Sequence, residues 1–195
     1  MSRIISMCLD SLVAAILLIP IFFLLNKHFF QNTAKAVFYF LFSVYLCAMF
    51  AVVGLPDICY YRFHPNVNIK PFQYMFSDYL NSFLNVVLFF PLGFFLPLFW
   101  SHFRTATATV AFGFQVSFLI EFLQIFTYRA TDVNDLITNT IGTLIGWIAA
   151  KLLLRLFPSI HPSENRQDVY TVCAAAFAVM YFIQPFFANY LFQYL

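Results

Sequence analysis

The chain has 195 residues, 63% of them hydrophobic and only 9% charged, with a net charge of +2 and a mean hydropathy of +0.83. A soluble domain carries roughly a quarter charged residues, so this composition excludes a globule covered by water. The ten Lys and Arg residues are too few and too scattered for a nucleic-acid interface, which leaves an integral membrane protein without room for a second, soluble domain.

A helix that crosses a bilayer needs roughly 20 predominantly apolar residues. Six segments qualify: Ile4–Leu25, Ala34–Leu55, Leu80–Trp100, Ala106–Phe126, Leu136–Phe157 and Val169–Leu191. No long alternating strands appear, so the fold class is all-α, a polytopic transmembrane helix bundle formed as one integral membrane domain over residues 1–195. Only Arg3 precedes the first apolar run and no small-residue cleavage site follows it, so this segment reads as a retained span. It carries Asp10 about two turns inside. Asn26–Thr33 reads as a short polar turn. The longest loop, Pro56–Tyr79, holds Phe63, Phe72, Tyr74 and Phe76, which suit either an interfacial belt or the mouth of a lipid-facing groove.

The third span reads N-S-F-L-N-V-V-L-F-F-P-L-G-F-F-L-P. Asn81 and Asn85 are four apart and share a face, Pro91 frees a backbone carbonyl and is expected to kink the helix, and Gly93 permits close approach. After the tight turn Ser101–Thr105, the fourth span is apolar near its end except for Glu121 and Gln124, which lie one helical turn from each other. Polar residues in helix bundles commonly cross-link neighbours, but a Glu is an expensive choice where Gln would serve. Ionisable groups at membrane depth mark functional sites by default.

Arg129 sits in the turn Thr127–Asn134. It can snorkel to headgroups, or pair bidentately with a carboxylate or phosphate. Asp132 or Asn134 suits the N-cap of the fifth helix, and Asp135 in its first turn suits the helix dipole. Asn139 lies one turn deeper on the face of Asp135, and Gly142 and Gly146 continue that stripe with a spacing that lets another backbone approach. Asn85, Glu121, Gln124, Arg129, Asp132, Asp135 and Asn139 are therefore the candidate ligand-binding residues, with polar groups of three helices at one level.

The carboxyls Glu121, Asp132 and Asp135 are the candidates for acid–base work or for holding a divalent cation. None of His28, His64, His102 and His161 falls in the cluster, so no resident metal site is assigned, and no cofactor is defined. The four cysteines form no C-x-x-C pair and read as small hydrophobes. For six spans the termini share a side. Arg3, Arg62, Lys70 and Arg129 fall on it, against Lys27, Lys35, Arg104, Lys151, Arg155 and Arg166 opposite. Cytoplasmic loops carry the excess of Lys and Arg, so the termini and the polar cluster are expected outside.

N-I-K-P-F at Asn68–Phe72, N-V-V-L-F-F-P-L-G at Asn85–Gly93, I-E-F-L-Q at Ile120–Gln124 and A-T-D-V-N-D-L-I-T-N-T-I-G-T-L-I-G at Ala130–Gly146 occur in that order. Together they resemble the VanZ-like family, over a core of residues 68–147. The resemblance implies a small multi-pass bacterial membrane protein of the cell envelope. It also implies a link to resistance against teicoplanin, a glycopeptide with a fatty-acyl tail that acts on cell-wall precursor outside the membrane. It implies no defined reaction.

Three readings follow. One is a membrane protein that engages a lipoglycopeptide or a lipid-linked cell-wall precursor at an outward polar pocket, beside membrane lipid. Another is an enzyme acting on a lipid-linked phosphate-containing substrate, with Glu121 as base, Asp132 and Asp135 holding a cation and Arg129 on the phosphate. The third is an accessory subunit whose polar groups only lock helices together.

Overall fold

The computed structural model describes residues 3–59, 62, 63, 66–72, 78–127 and 129–192. Six helices are long and apolar enough to cross a membrane, as the apolar runs predict. The chain divides into two compact units, residues 1–62 with 167–195, and residues 63–166.

The first unit contains α1 (Arg3–Leu25), α2 (Thr33–Val53), α6 (Gln167–Ala178) and α7 (Gln184–Phe192). The expected polar turn after α1 is instead a π-helical turn over Asn26–Phe30 that lengthens the first span, and the chain reverses only at Gln31, in the left-handed region at φ 48°. Phe30 explains the extra turn: it is buried against Tyr39 with ring centroids 5.1 Å apart and planes at 82°, a favourable edge-to-face pairing. Asn32 then caps α2 by accepting the Lys35 N–H at 3.0 Å. The faces of α1 separate as a membrane helix requires. Ala14, Leu18 and Phe22 are buried, while Leu12, Ile16, Ile19 and Phe23 are exposed. Tyr39 donates its hydroxyl to Asp168 Oδ2 at 3.2 Å, so the one buried acid of α6 has a partner on α2. A second π-helical turn, Val179–Ile183, joins α6 to α7.

The second unit contains β1 (Val67–Asn68), α3 (Tyr79–Phe99), α4 (Ala106–Gln124), β2 (Thr131–Asp132) and α5 (Val133–Leu156). Helix α3 runs through Pro91 and Pro97 as one helical span. Helices α3 and α5 touch backbone to backbone. A Cβ on Gly93 would fall on the backbone of Thr143, one on Gly142 on the backbone of Val86, and one on Gly146 on the Phe90 carbonyl. A methyl group at any of the three would push the helices apart. On α5 the small and polar residues Asn139, Gly142, Thr143, Gly146 and Ala150 are buried, and Ile141, Leu144, Ile145, Ile148 and Leu152 are exposed. This inversion of the soluble pattern follows from a lipid surround, where small residues, not large ones, bring helices together.

At one end of the unit a 3-10 turn, Ser101–Arg104, links α3 to α4 and is pinned by the segment after α5. Ser163 donates its N–H to the Phe99 carbonyl at 2.7 Å, and its own carbonyl takes the Ser101 N–H at 3.0 Å. At the other end β1 and β2 pair in parallel, Val67 opposite Thr131 and Asn68 opposite Asp132. The pairing brings the loop before α3 onto the turn between α4 and α5.

Candidate functional site

The α4–α5 turn is built on Glu121. Its Oε2 accepts the Asp132 N–H at 2.9 Å, and its backbone carbonyl accepts the Thr131 hydroxyl at 3.0 Å. Glu121 is only 6% exposed, so both bonds are shielded from competing water. Asp132 is the N-cap of α5: its Oδ1 accepts the Asn134 N–H at 2.8 Å, while Oδ2 accepts from Asn68 Nδ2 at 3.1 Å. Between the two alternatives for the cap, the structure selects Asp132 and gives Asn134 another task. The Asn134 side-chain oxygen accepts the Phe72 N–H at 2.6 Å, where Phe72 stands in the left-handed region at φ 64°.

Asp135 faces α3. Its Oδ1 accepts from Asn81 Nδ2 at 3.4 Å, and the Asn85 side chain lies beside its carboxyl. Arg129 lies within electrostatic reach of Glu121 and Asp135, and Asp132 within reach of both. Asn139, one turn below Asp135, turns to α4 and donates from Nδ2 to the Ser117 hydroxyl at 2.9 Å. The stripe on α5 therefore serves two neighbours: Asn139 meets α4, and Gly142 and Gly146 meet α3. Asn139 is 3% exposed, and its buried Oδ1 has no hydrogen-bond partner among the described residues. A buried amide oxygen without a partner is uncommon in a folded chain.

Asn85, Glu121, Arg129, Asp132, Asp135 and Asn139 thus come together at one end of the α3–α4–α5 unit. Gln124 is buried one turn beyond Glu121, and its backbone carbonyl takes the Thr127 hydroxyl at 2.9 Å. Asp10 belongs to the other unit. Of the loop aromatics, Phe63 packs on Phe126 with centroids 5.8 Å apart and Phe72 is exposed, whereas Tyr74, Phe76 and His64 lie outside the described residues.

Sequence reasoning passed over Ser117, Asn68 and Asn81 as site residues. Ser117 stands four before Glu121 and Asn81 four before Asn85, so helical spacing was the available signal. Asn68 opens the N-I-K-P-F element of the family resemblance, but its contact with Asp132 depends on the two-residue strand pairing and has no local spacing to announce it. Among the described residues no group of three or more His, Cys, Asp or Glu is arranged to hold a metal ion.

Six spanning helices, with small residues in their contacts and polar groups gathered at one end of a three-helix unit, define a multi-pass membrane protein. The family model described as VanZ/LLP1 matches residues 12–155, and the chain belongs to that family, one linked by its name to teicoplanin resistance. The match extends the shared region beyond the 68–147 core to include most of α1 and all of α2. No curated protein and no solved structure matches the chain.

Proposed function

We propose that this protein lowers the susceptibility of a bacterial cell to lipoglycopeptides such as teicoplanin, by engaging the drug or a lipid-linked wall precursor at the polar end of α3, α4 and α5. The observation that carries this reading is the gathering of three carboxyls and one guanidinium at one end of α3, α4 and α5, above the buried and unpaired Oδ1 of Asn139. A setting rich in acceptors suits a ligand rich in donors, such as peptide N–H and sugar hydroxyl groups. Phe83, Leu84, Val87, Phe118 and Phe122 are exposed on the same stretches of α3 and α4, and offer an apolar surface for an acyl tail. Arg104, Lys151, Arg155 and Arg166 lie toward the far end of the unit, Lys151 and Arg155 in the last turns of α5, against Lys70 and Arg129 at the polar end. This imbalance supports an outward-facing cluster.

Binding is preferred to catalysis because Glu121 and Asp132 already hold backbone N–H groups. A carboxylate committed to the fold is a poor proton shuttle. The test is teicoplanin susceptibility of cells expressing the chain or its Glu121→Gln, Asp135→Asn and Arg129→Lys variants at matched membrane levels. Partial loss of protection is expected in each, about twofold to tenfold in inhibitory concentration, as for one lost charge-assisted hydrogen bond. The loss should shrink for the same glycopeptide stripped of its acyl tail. Full protection by all three variants would remove the cluster from the account.

A further inference from the structure

A groove of about 280 Å³ lies between α1 and α2, beside the turn that joins them. It runs from Ile19 to Asn26 on α1 and from Phe40 to Thr33 on α2. Phe22, which is buried, meets Phe40 edge to face in its lining, with centroids 5.7 Å apart. Phe23 and Val37 also line it and are exposed. Both helices are long and apolar enough to cross a membrane, so the groove opens to lipid. Ile19 to Asn26 is about 10 Å along the helix axis, within the roughly 15 Å of hydrocarbon in one leaflet.

The groove is polar at one end only. Asn26 and Thr33 stand together beside the turn, and the rest of the lining is apolar. A phospholipid has the same order, with its headgroup at the surface and its chains below. The polar end supplies donors. Asn26 Oδ1 takes the Asn32 N–H at 3.0 Å, and Asn26 Nδ2 donates to no described residue. Lys27 is exposed, stands four residues after Phe23, and pairs with no acid among the described residues. Thr33 is the first residue of α2, so this end also meets the positive end of a helix dipole. No free acid opposes these groups. Of the three acids in this unit, Asp10 and Asp57 lie toward the opposite ends of α1 and α2, and Asp168 is buried and takes the Tyr39 hydroxyl.

We propose that this groove seats an acyl chain of an anionic phospholipid, whose phosphate is held by Asn26 Nδ2, the Thr33 hydroxyl and the Lys27 ammonium. A basic residue beside lipid phosphate is a recurring basis of anionic-lipid recognition. A zwitterionic headgroup brings a second cation next to Lys27, and a free phosphate gains nothing from the apolar length.

The test is native mass spectrometry of the full chain in neutral detergent, titrated with phosphatidylglycerol or with phosphatidylcholine of the same chains. Saturable binding of phosphatidylglycerol is expected, at least about fivefold tighter than phosphatidylcholine, the scale of one basic residue at an anionic surface. Asn26→Asp keeps the acceptor for the Asn32 N–H but turns the donor into a negative charge, and should weaken phosphatidylglycerol about tenfold. Lys27→Gln, on an exposed side chain, should weaken it about fivefold and leave phosphatidylcholine unchanged. Arg155→Gln, on α5, should change neither. Melting of Asn26→Asp close to that of the unsubstituted chain shows that the fold is kept, and if it melts early Lys27→Gln alone decides. Equal affinity for the two lipids, or phosphatidylglycerol binding unaltered in Lys27→Gln, overturns the proposal. Displacement by glycerol phosphate at equal concentration would assign the polar end to a free anion, and a dimer that excludes phosphatidylglycerol would assign the groove to a second copy. Either result overturns it.

Discussion

Glu121 shows how one side chain can serve two ends. Its Oε2 satisfies the Asp132 N–H at the start of α5, so part of its value is structural. A Gln carries the same acceptor without the charge. The two roles therefore separate by substitution. Glu121→Gln should melt at or above the temperature of the unsubstituted chain in detergent. Glu121→Leu should be less stable than Glu121→Gln by about 1 kcal/mol, because an interior N–H loses its acceptor. Equal melting of the two variants would show that the bond to Asp132 contributes nothing. Asn139 is the converse case. Its amide nitrogen is used by Ser117 and its oxygen is buried without a hydrogen-bond partner among the described residues, so no hydrogen bond of the fold depends on that oxygen.

At the scale of elements, the unit containing the polar cluster rests on the contact of α3 with α5. Three glycines set its closeness, and each faces backbone, which cannot swing aside. Gly146→Ala should cost about 1–3 kcal/mol through overpacking, read as a lower melting temperature. Ile148→Ala, on the exposed face of the same helix, should change it by less than about 0.5 kcal/mol. Similar effects from the two would mean that α3 and α5 are not packed this way.

These helices were legible in the sequence because a span announces itself by length and apolarity. The G-x-x-x-G stripe was legible for the same kind of reason, a fixed local spacing, and the cap of α5 was legible as either Asp132 or Asn134. Three features were hidden. The π-helical turn at Asn26–Phe30 begins with the polar residues Asn26, Lys27 and His28, and the burial of Phe30 against Phe22 and Tyr39 favours helix there. The β1–β2 pairing spans two residues and has no periodicity to detect. The partner of Asn139 depends on the rotation of α4 against α5, which places Ser117 opposite it.

For the whole molecule, membership of the VanZ/LLP1 family and six spanning helices fix a multi-pass membrane protein. Two compact units each carry a polar feature of their own, and the one on α3, α4 and α5 is the basis of the proposed protection. A direct reading would come from intact cells expressing the chain, treated from outside with teicoplanin carrying a photoreactive group on its acyl tail. After irradiation, the labelled peptides are mapped by mass spectrometry. The account predicts crosslinks concentrated on Leu80–Phe89 and Ser117–Gln124, reduced in the Asp135→Asn variant. Crosslinks confined to α1, α2, α6 or α7, or label no different in Asp135→Asn, would contradict it.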